Sequence, residues 1–388
     1  MRLRRCHALL IEPRETRELD IAAVFAGEAR MRSRIEWRGL AAHRDDCVTL
    51  SDAEVLALGE VSSTDWTEGE DFVRKHGEAV VRRLLDNGLL ETEDAPDAGD
   101  AIVREGHWHR IAAVAHRHLR WQDTDTQKTT EALAGDSSLP PMLERLGPPP
   151  PPVAPRVDAA RRQPLPASPE TGFDRLLSRR VTCRNFDPAR PLPLAMLATI
   201  LQQVHGARAT AEVTGVPLLK KAVPSAGGLH PVEAWLLVRR VDGLAPGLYH
   251  YHSTDHALEP MRALDAEEAD GLALRFVAGQ TWFAQAPVYV MLVARFQRNF
   301  WKYRGHAKAY RAVILDAGHL SQAQYQLATE LGLGAFITAA ANEGEIERAL
   351  GLEPMRDGVL AVTGFGYRAG EMVDLEFDPL KAVWPAPA

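Results

Sequence analysis

Arg180, Thr182 and Arg184 alternate within the stretch SRRVTCRNF. On an extended segment, alternate residues project to one side. Two guanidiniums and a hydroxyl on one side make an anion clamp well suited to a phosphate; the competing account is a solvated basic edge. Further on, AVPSAGGLHPVE sets Pro224, Ser225, Ala226, Gly227 and Gly228 between the pair Lys220-Lys221 and an apolar run. Almost nothing projects from that backbone, so its N–H groups can lie against a flat ligand. Pro224 stiffens the approach and Pro231 fixes the exit. Alone, such a stretch is also compatible with a plain loop; combined with the Arg-x-Thr-x-Arg clamp it points to a binding site.

The elements that must position these residues alternate in type. PLPLAMLATILQQVHG reads as a helix, with Pro193 at its start and Gly206 at its stop. AWLLVRRV and APVYVMLVARF read as strands, the second buried on both faces. GLYHYHSTDHALEPM is a hairpin, and DGVLAVTGFGYR a last buried strand. KAYRAVILDAGHLSQAQYQLATELGLG is a long helix whose apolar positions, Val313, Ile314, Ala317, Leu320, Leu327 and Leu331, recur every three or four residues. The expectation for 170–388 is an α+β domain with a helix-flanked sheet.

Before it, residues 139–169 hold five consecutive prolines, which favour an extended, semi-rigid linker. A docking segment for a proline-binding partner is the alternative. Residues 1–95 form a second, smaller α+β unit. CHALLIEP, DIAAVF and SRIEWRGL are short strands, and SDAEVLALGEV is a helix capped by Ser51 or Asp52 with Glu54 in its first turn. DFVRKHGEAVVRRLLDNGLLETED continues as a helix with an apolar stripe of Val73, Val80, Val81, Leu84 and Leu85. It stops at Asn87-Gly88, and a wing-like strand follows. That order suggests a winged-helix-like domain. Residues 96–138 form a helical connector. There His109 and His116 fall on one side, packed against Trp108 and Trp121 or, alternatively, ligating zinc.

With 388 residues, two domains are expected. A net charge of -7 argues against a nucleic-acid partner. Cys6, Cys47 and Cys183 are odd in number and far apart, so neither a disulfide framework nor a cysteine zinc site is expected. No apolar run reaches membrane-span length, and no signal peptide is recognisable at the amino terminus. The expectation is a cytoplasmic protein without a metal.

RRVTCRNF, PSAGGLHPVEAWLLVRRVDGLAPGLYHYHSTDHALE, KYRGHAKAYRAVILDAGHLSQ and ELGLG occur in this order. The set resembles the nitroreductase superfamily and, within it, the SagB-type dehydrogenases that oxidise thiazolines and oxazolines in ribosomally made peptides. The resemblance covers about 170–370. It implies a nitroreductase-like fold that binds FMN non-covalently in a homodimer, with each flavin at the subunit interface. Arg180, Thr182 and Arg184 then meet the phosphate and ribityl end, and Arg311 and Arg368 are further phosphate candidates. Pro224, Ser225, Ala226, Gly227 and Gly228, contributed by the other subunit, lie along the ring, where N–H groups stabilise charge on reduced flavin. Leu333–Ala340, including Thr338, Ala339 and Ala340, passes its other face. His230 and Glu233 orient the loop or the strand.

By the same resemblance, Lys302 or Tyr303 in FWKYRGH takes the substrate proton, with Arg304 or a dry pocket lowering its pKa. Asp316 and His319 hydrogen-bond across the dimer or beside the flavin. The front domain, 1–95, resembles in shape the unit that captures the leader of a precursor peptide as an added strand. A cyclodehydratase partner follows from azoline chemistry. Two alternatives stand beside this reading. One is an NAD(P)H-dependent flavin reductase of a dehydroamino acid, nitro or quinone compound. The other is a flavin- or redox-sensing regulator whose front domain binds DNA.

Overall fold

A computed structural model of the chain describes residues 1–25, 27, 31–128 and 139–385. The end of the expected helical connector, 129–138, lies outside the described residues, as do the last three residues. The chain divides into two compact units. The first comprises Met1–Arg120, Ala294–Ile314 and Leu352–Gly358; the second comprises Trp121–Val293, Leu315–Gly351 and Val359–Ala388.

In the first unit, β1 (Arg2–Arg5) is followed by β2 (Leu9–Leu19), β3 (Met31–Ala41) and β4 (Cys47–Leu50). β2 and β3 pair antiparallel along their whole length, from Leu9 opposite Ala41 to Leu19 opposite Met31, and β4 joins β3. Between β2 and β3, Ile21–Phe25 is a short helix rather than the strand that DIAAVF suggests. Asp20 Oδ1 accepts the Ala23 N–H at 3.1 Å, as a cap does, and alanines favour the helix. The helix Asp52–Glu60 starts at Ser51 with a reciprocal capping box to Glu54.

The following segment is two helices, Gly69–His76 and Glu78–Asp86, rather than one. Gly77 between them takes φ 88°, a left-handed value that ends the first helix. Short strands β5 (Thr67–Glu68) and β6 (Leu90–Thr92) flank β1 on either side, antiparallel to it. Leu3, Leu58, Phe72, Val81, Leu84 and Leu89 fill the core beneath.

The 101–123 region also departs from a single helix. It forms Ala98–Glu105 and Arg110–Leu119, with His109 as the N-cap residue of the second. His109 therefore does not share a helix face with His116. His116 is buried against Trp108 with ring centroids 5.3 Å apart. Its ring nitrogens meet the Tyr310 hydroxyl and the Pro354 carbonyl, each at 3.0 Å. Burial lowers its pKa to about 3, so the ring is neutral.

In the second unit, Leu139–Leu146 is a helix ahead of the exposed proline-rich stretch; its prolines sit in the first turn, where a missing N–H is harmless. β7 (Leu192–Pro193) leads into Leu194–Ile200 and a wider π-type turn, Leu201–His205, that Gly206 ends. An exposed hairpin follows, β8 (Ala209–Val213) and β9 (Val216–Lys220). β10 (Val232–Val238) enters the main sheet, and β11 (Val241–Asp242) pairs in parallel with β7.

β12 (Gly247–His252), β13 (Ala257–Ala263), β14 (Val288–Arg295), β15 (Gly334–Thr338) and β16 (Asp357–Gly366) complete the six-stranded sheet. Its order is β13-β12-β10-β14-β16-β15. Val288 to Ala294 of the inner strand β14 are wholly buried, as a run of apolar residues without alternation requires. Helices Ala266–Phe276, Ala309–Glu330 and Glu343–Leu350 complete the α+β fold.

Candidate functional site

The helix Ala309–Glu330 carries the framework of the site along its Leu315–Glu330 part. Asp316, 4% exposed, accepts the Ser225 hydroxyl at 2.5 Å and the backbone N–H of Ala226. Ser225 Oγ in turn accepts the His230 N–H at 2.9 Å. His319 Nδ1 lies 3.3 Å from the Pro224 carbonyl. Asp316 and His319 thus hold the Pro-Ser-Ala-Gly-Gly loop of their own chain from beneath. Burial raises the Asp316 pKa, against the hydrogen bonds from Ser225 and Ala226.

Fixed at Ser225, the loop turns through left-handed backbone at Gly227 (φ 63°) and Gly228 (φ 67°). A side chain on Gly228 would meet nothing within 4 Å. The requirement for glycine there is the backbone angle, and the space above it is open.

Two turns further along the helix stands Tyr325, a residue that no local pattern singles out. Its hydroxyl lies 3.1 Å from Thr182 Oγ1 and accepts the Ile337 N–H. The Arg180 guanidinium sits over its ring, 5.4 Å from the centroid. Thr182 is held by a parallel bridge to Ala335 of β15, where the Cys183 N–H donates to the Ala335 carbonyl at 2.8 Å. Gly334 makes that approach possible, because a Cβ there would fall 2.5 Å from Cys183 Sγ.

Arg184 and Arg368 are engaged elsewhere. Arg184 Nη1 donates to the Leu375 carbonyl at 2.7 Å. Arg368 pairs with the buried Glu376 carboxylate, which also accepts the backbone N–H groups of Arg184 and Asn185. At the end of β15, Thr338 Oγ1 accepts the Ala340 N–H at 3.1 Å, and Gln280 Nε2 donates to the Ala340 carbonyl at 2.6 Å. Ala339 is left exposed at the bend.

The neighbouring pair Lys220-Lys221 splits. Lys220 is exposed, while Lys221 is 3% exposed. Burial lowers the Lys221 pKa to about 8, against an opposing pull from Glu233. Adjacency in sequence does not reveal that the two lysines differ in burial. Glu233 itself lies 3.2 Å from His250 Nε2, and Glu259 takes the other ring nitrogen.

Lys302, Tyr303 and Arg311 belong to the first unit. Lys302 is exposed, with Nζ 5.6 Å from the ring centroid of the half-buried Tyr303. Arg304 Nε donates to the Trp301 carbonyl at 3.2 Å, and Arg311 is exposed.

The second unit is thus an α+β sheet domain in which one helix anchors a glycine loop through Asp316 and His319 and meets Thr182 through Tyr325. Residues 177–367 match the nitroreductase family. A Methanocaldococcus jannaschii protein whose name places it among the nitroreductases is 32% identical over 186 residues, covering 48% of this chain and 87% of that protein. The chain belongs to the nitroreductase family.

The trifolitoxin-processing protein TfxB of Rhizobium leguminosarum bv. trifolii is 29% identical over 149 residues, 37% of this chain and 38% of that protein. Among solved structures, a chain of the E. coli microcin synthetase McbBCD complex with truncated pro-MccB17 bound aligns with a TM-score of 0.47 and 19% identity. That alignment covers 69% of this chain and 92% of that one. No helix among the described residues is long and apolar enough to cross a membrane.

Proposed function

We propose that the second unit binds FMN and that the protein is an FMN-dependent dehydrogenase of ribosomal peptide maturation, converting azolines in a precursor peptide to azoles. The observation that carries the cofactor assignment is the Pro224–Gly228 loop. Its conformation is set by Asp316 and His319, and the space beside Gly228 is open. Such a surface fits a flat polar ring. Arg180 and Thr182, aligned by Tyr325, fit its anionic tail. The bend Thr338–Ala340, braced by Gln280, would meet the ring's other face. The peptide context is supported by the name of the trifolitoxin-processing relative.

When bound, FMN supplies two-electron acceptor chemistry for the hydride equivalent. This chain must then accept the accompanying substrate proton, a task assigned to Lys302 or Tyr303. Residues 1–95 hold the leader, and a cyclodehydratase supplies the azoline. The protein acts as a homodimer. Met372, Val373, Leu375, Phe377 and Leu380 near the carboxy terminus expose large apolar side chains, which suit a second copy.

The test is to incubate the FMN-loaded protein with a cyclised precursor peptide and follow its mass. Loss of two hydrogens per azoline, abolished in Lys302→Ala or Tyr303→Phe, is the expected result. An unchanged peptide, with nitro compounds reduced at the expense of NADPH, would favour the reductase reading, which the archaeal relative's name supports.

A further inference from the structure

Three residues far apart in sequence meet inside the first unit. Cys6 follows β1, His43 follows β3, and Asp100 lies in the first turn of the helix Ala98–Glu105. Cys6 Sγ, a ring nitrogen of His43 and a carboxylate oxygen of Asp100 all lie within 4.8 Å of one another. The side chains of His43 and Asp100 are 2% and 1% exposed.

His43 Nε2 is 3.0 Å from the Gly88 carbonyl, so it carries the proton and donates. That leaves Nδ1 as a bare lone pair. It is buried without a hydrogen-bond partner and points towards Asp100 Oδ1, 3.9 Å away. Gly99 packs closely on this residue: a Cβ there would lie 3.2 Å from His43 Cβ. The carboxylate is fixed as well. Asp100 Oδ2 accepts from Arg104 Nε at 2.5 Å, and Oδ1 accepts from the His7 N–H at 2.6 Å. Oδ1 keeps a second lone pair.

We infer that Cys6, His43 and Asp100 form a binding site for a divalent zinc-class ion in the first unit, the fourth position being filled by water. Thiolate, imidazole and carboxylate are the donor types zinc selects. A histidine that donates its other ring N–H to a backbone carbonyl is the usual support for a metal ligand. Metal–ligand lengths of about 2.0–2.3 Å in a tetrahedron put ligand atoms roughly 3.3–3.8 Å apart. The observed 3.9 Å between His43 Nδ1 and Asp100 Oδ1 nearly meets that. Closing the rest takes a shift of an ångström or less. On binding, the Cys6 thiol releases its proton to solvent and the sulfur–metal bond forms; no redox change is involved. The two negative ligands balance the ion's charge. The ion would tie the end of β1, the turn after β3 and the helix start together. No spacing signature announces it in the sequence.

The test uses the full chain, stripped with a chelator and titrated with Co2+. One ion per chain is expected, with a thiolate-to-cobalt charge-transfer band that Zn2+ displaces. The band should vanish in Cys6→Ser and His43→Gln and persist in Cys47→Ser, which alters an exposed thiol. Should the first two variants not fold, zinc-edge X-ray absorption of the Cys47→Ser protein decides. A single sulfur at about 2.3 Å with nitrogen and oxygen neighbours is expected. No ion retained by folded protein, a shell without sulfur, or a band that survives Cys6→Ser would overturn the site.

Discussion

The two units differ in what the polar side chains of their best-ordered clusters hold. In the first, charged and aromatic side chains hold one another. Arg104 joins Asp100 and Glu91 with the Ser63 and Arg5 carbonyls, and His116 stacks on Trp108 and meets Phe296 edge-on. In the second, Asp316 and His319 hold the Pro224–Gly228 loop, and Thr338 and Gln280 hold the bend at Ala340. The difference separates a cluster in which side chains brace one another from one in which they fix the backbone of a loop and a bend.

Four substitutions probe that contrast. The largest effect should come from Trp108→Ala. Trp108 is nearly wholly buried and its indole donates to the Met355 carbonyl, so truncation should cost about 3–5 kcal/mol in urea unfolding. The chain that remains folded should keep its FMN stoichiometry.

Lys221→Met comes next and should stabilise. The folded pKa of Lys221, about 8, lies below the ordinary 10.5. Below pH 8 both folded and unfolded chains carry the charge, and the burial cost is present in full. Stability of the native protein therefore rises between pH 8 and 10.5, as the folded state sheds its proton first. The methionine variant should be more stable at pH 7 by on the order of 3 kcal/mol, and that gap should close by pH 10.5. A constant gap across that range would contradict a buried, pKa-shifted Lys221.

Asp316→Ala should act on the ligand surface. It leaves the Ser225 hydroxyl and the Ala226 N–H without their acceptor, worth ~2 kcal/mol, or about 30-fold in FMN dissociation constant by fluorescence titration. His319→Ala removes a single longer contact to Pro224. About 1 kcal/mol, or roughly fivefold, is expected. If His319→Ala weakened FMN more than Asp316→Ala, the loop would not be anchored as described.

Legibility in the sequence followed the range of the interactions. Pro193 and Gly206 bracket their helix because both act locally. The glycine loop and the Arg180-x-Thr182 alternation were legible for the same reason. Gly77 was a local signal too, and the apolar stripe running across it masked the break. Partners distant in sequence left no trace: Tyr325 beneath Thr182, Asp316 beneath Ser225, and Cys6 with His43 and Asp100. Lys221 differs from Lys220 only in burial. The ties of Arg184 and Arg368 to Leu375 and Glu376 come from the fold of the carboxy-terminal segment, which carries no periodic pattern.

The central claim is that the second unit holds FMN on the Pro224–Gly228 loop and the Arg180/Thr182/Tyr325 group. The most direct test is to saturate the purified protein with FMN, remove the excess, and measure the visible spectrum and the flavin released on denaturation. About one FMN per chain, retained by the native protein and held about 30-fold more weakly by Asp316→Ala, is the predicted result. A folded protein that retains no FMN, or that retains it equally with Asp316 replaced, would contradict the account.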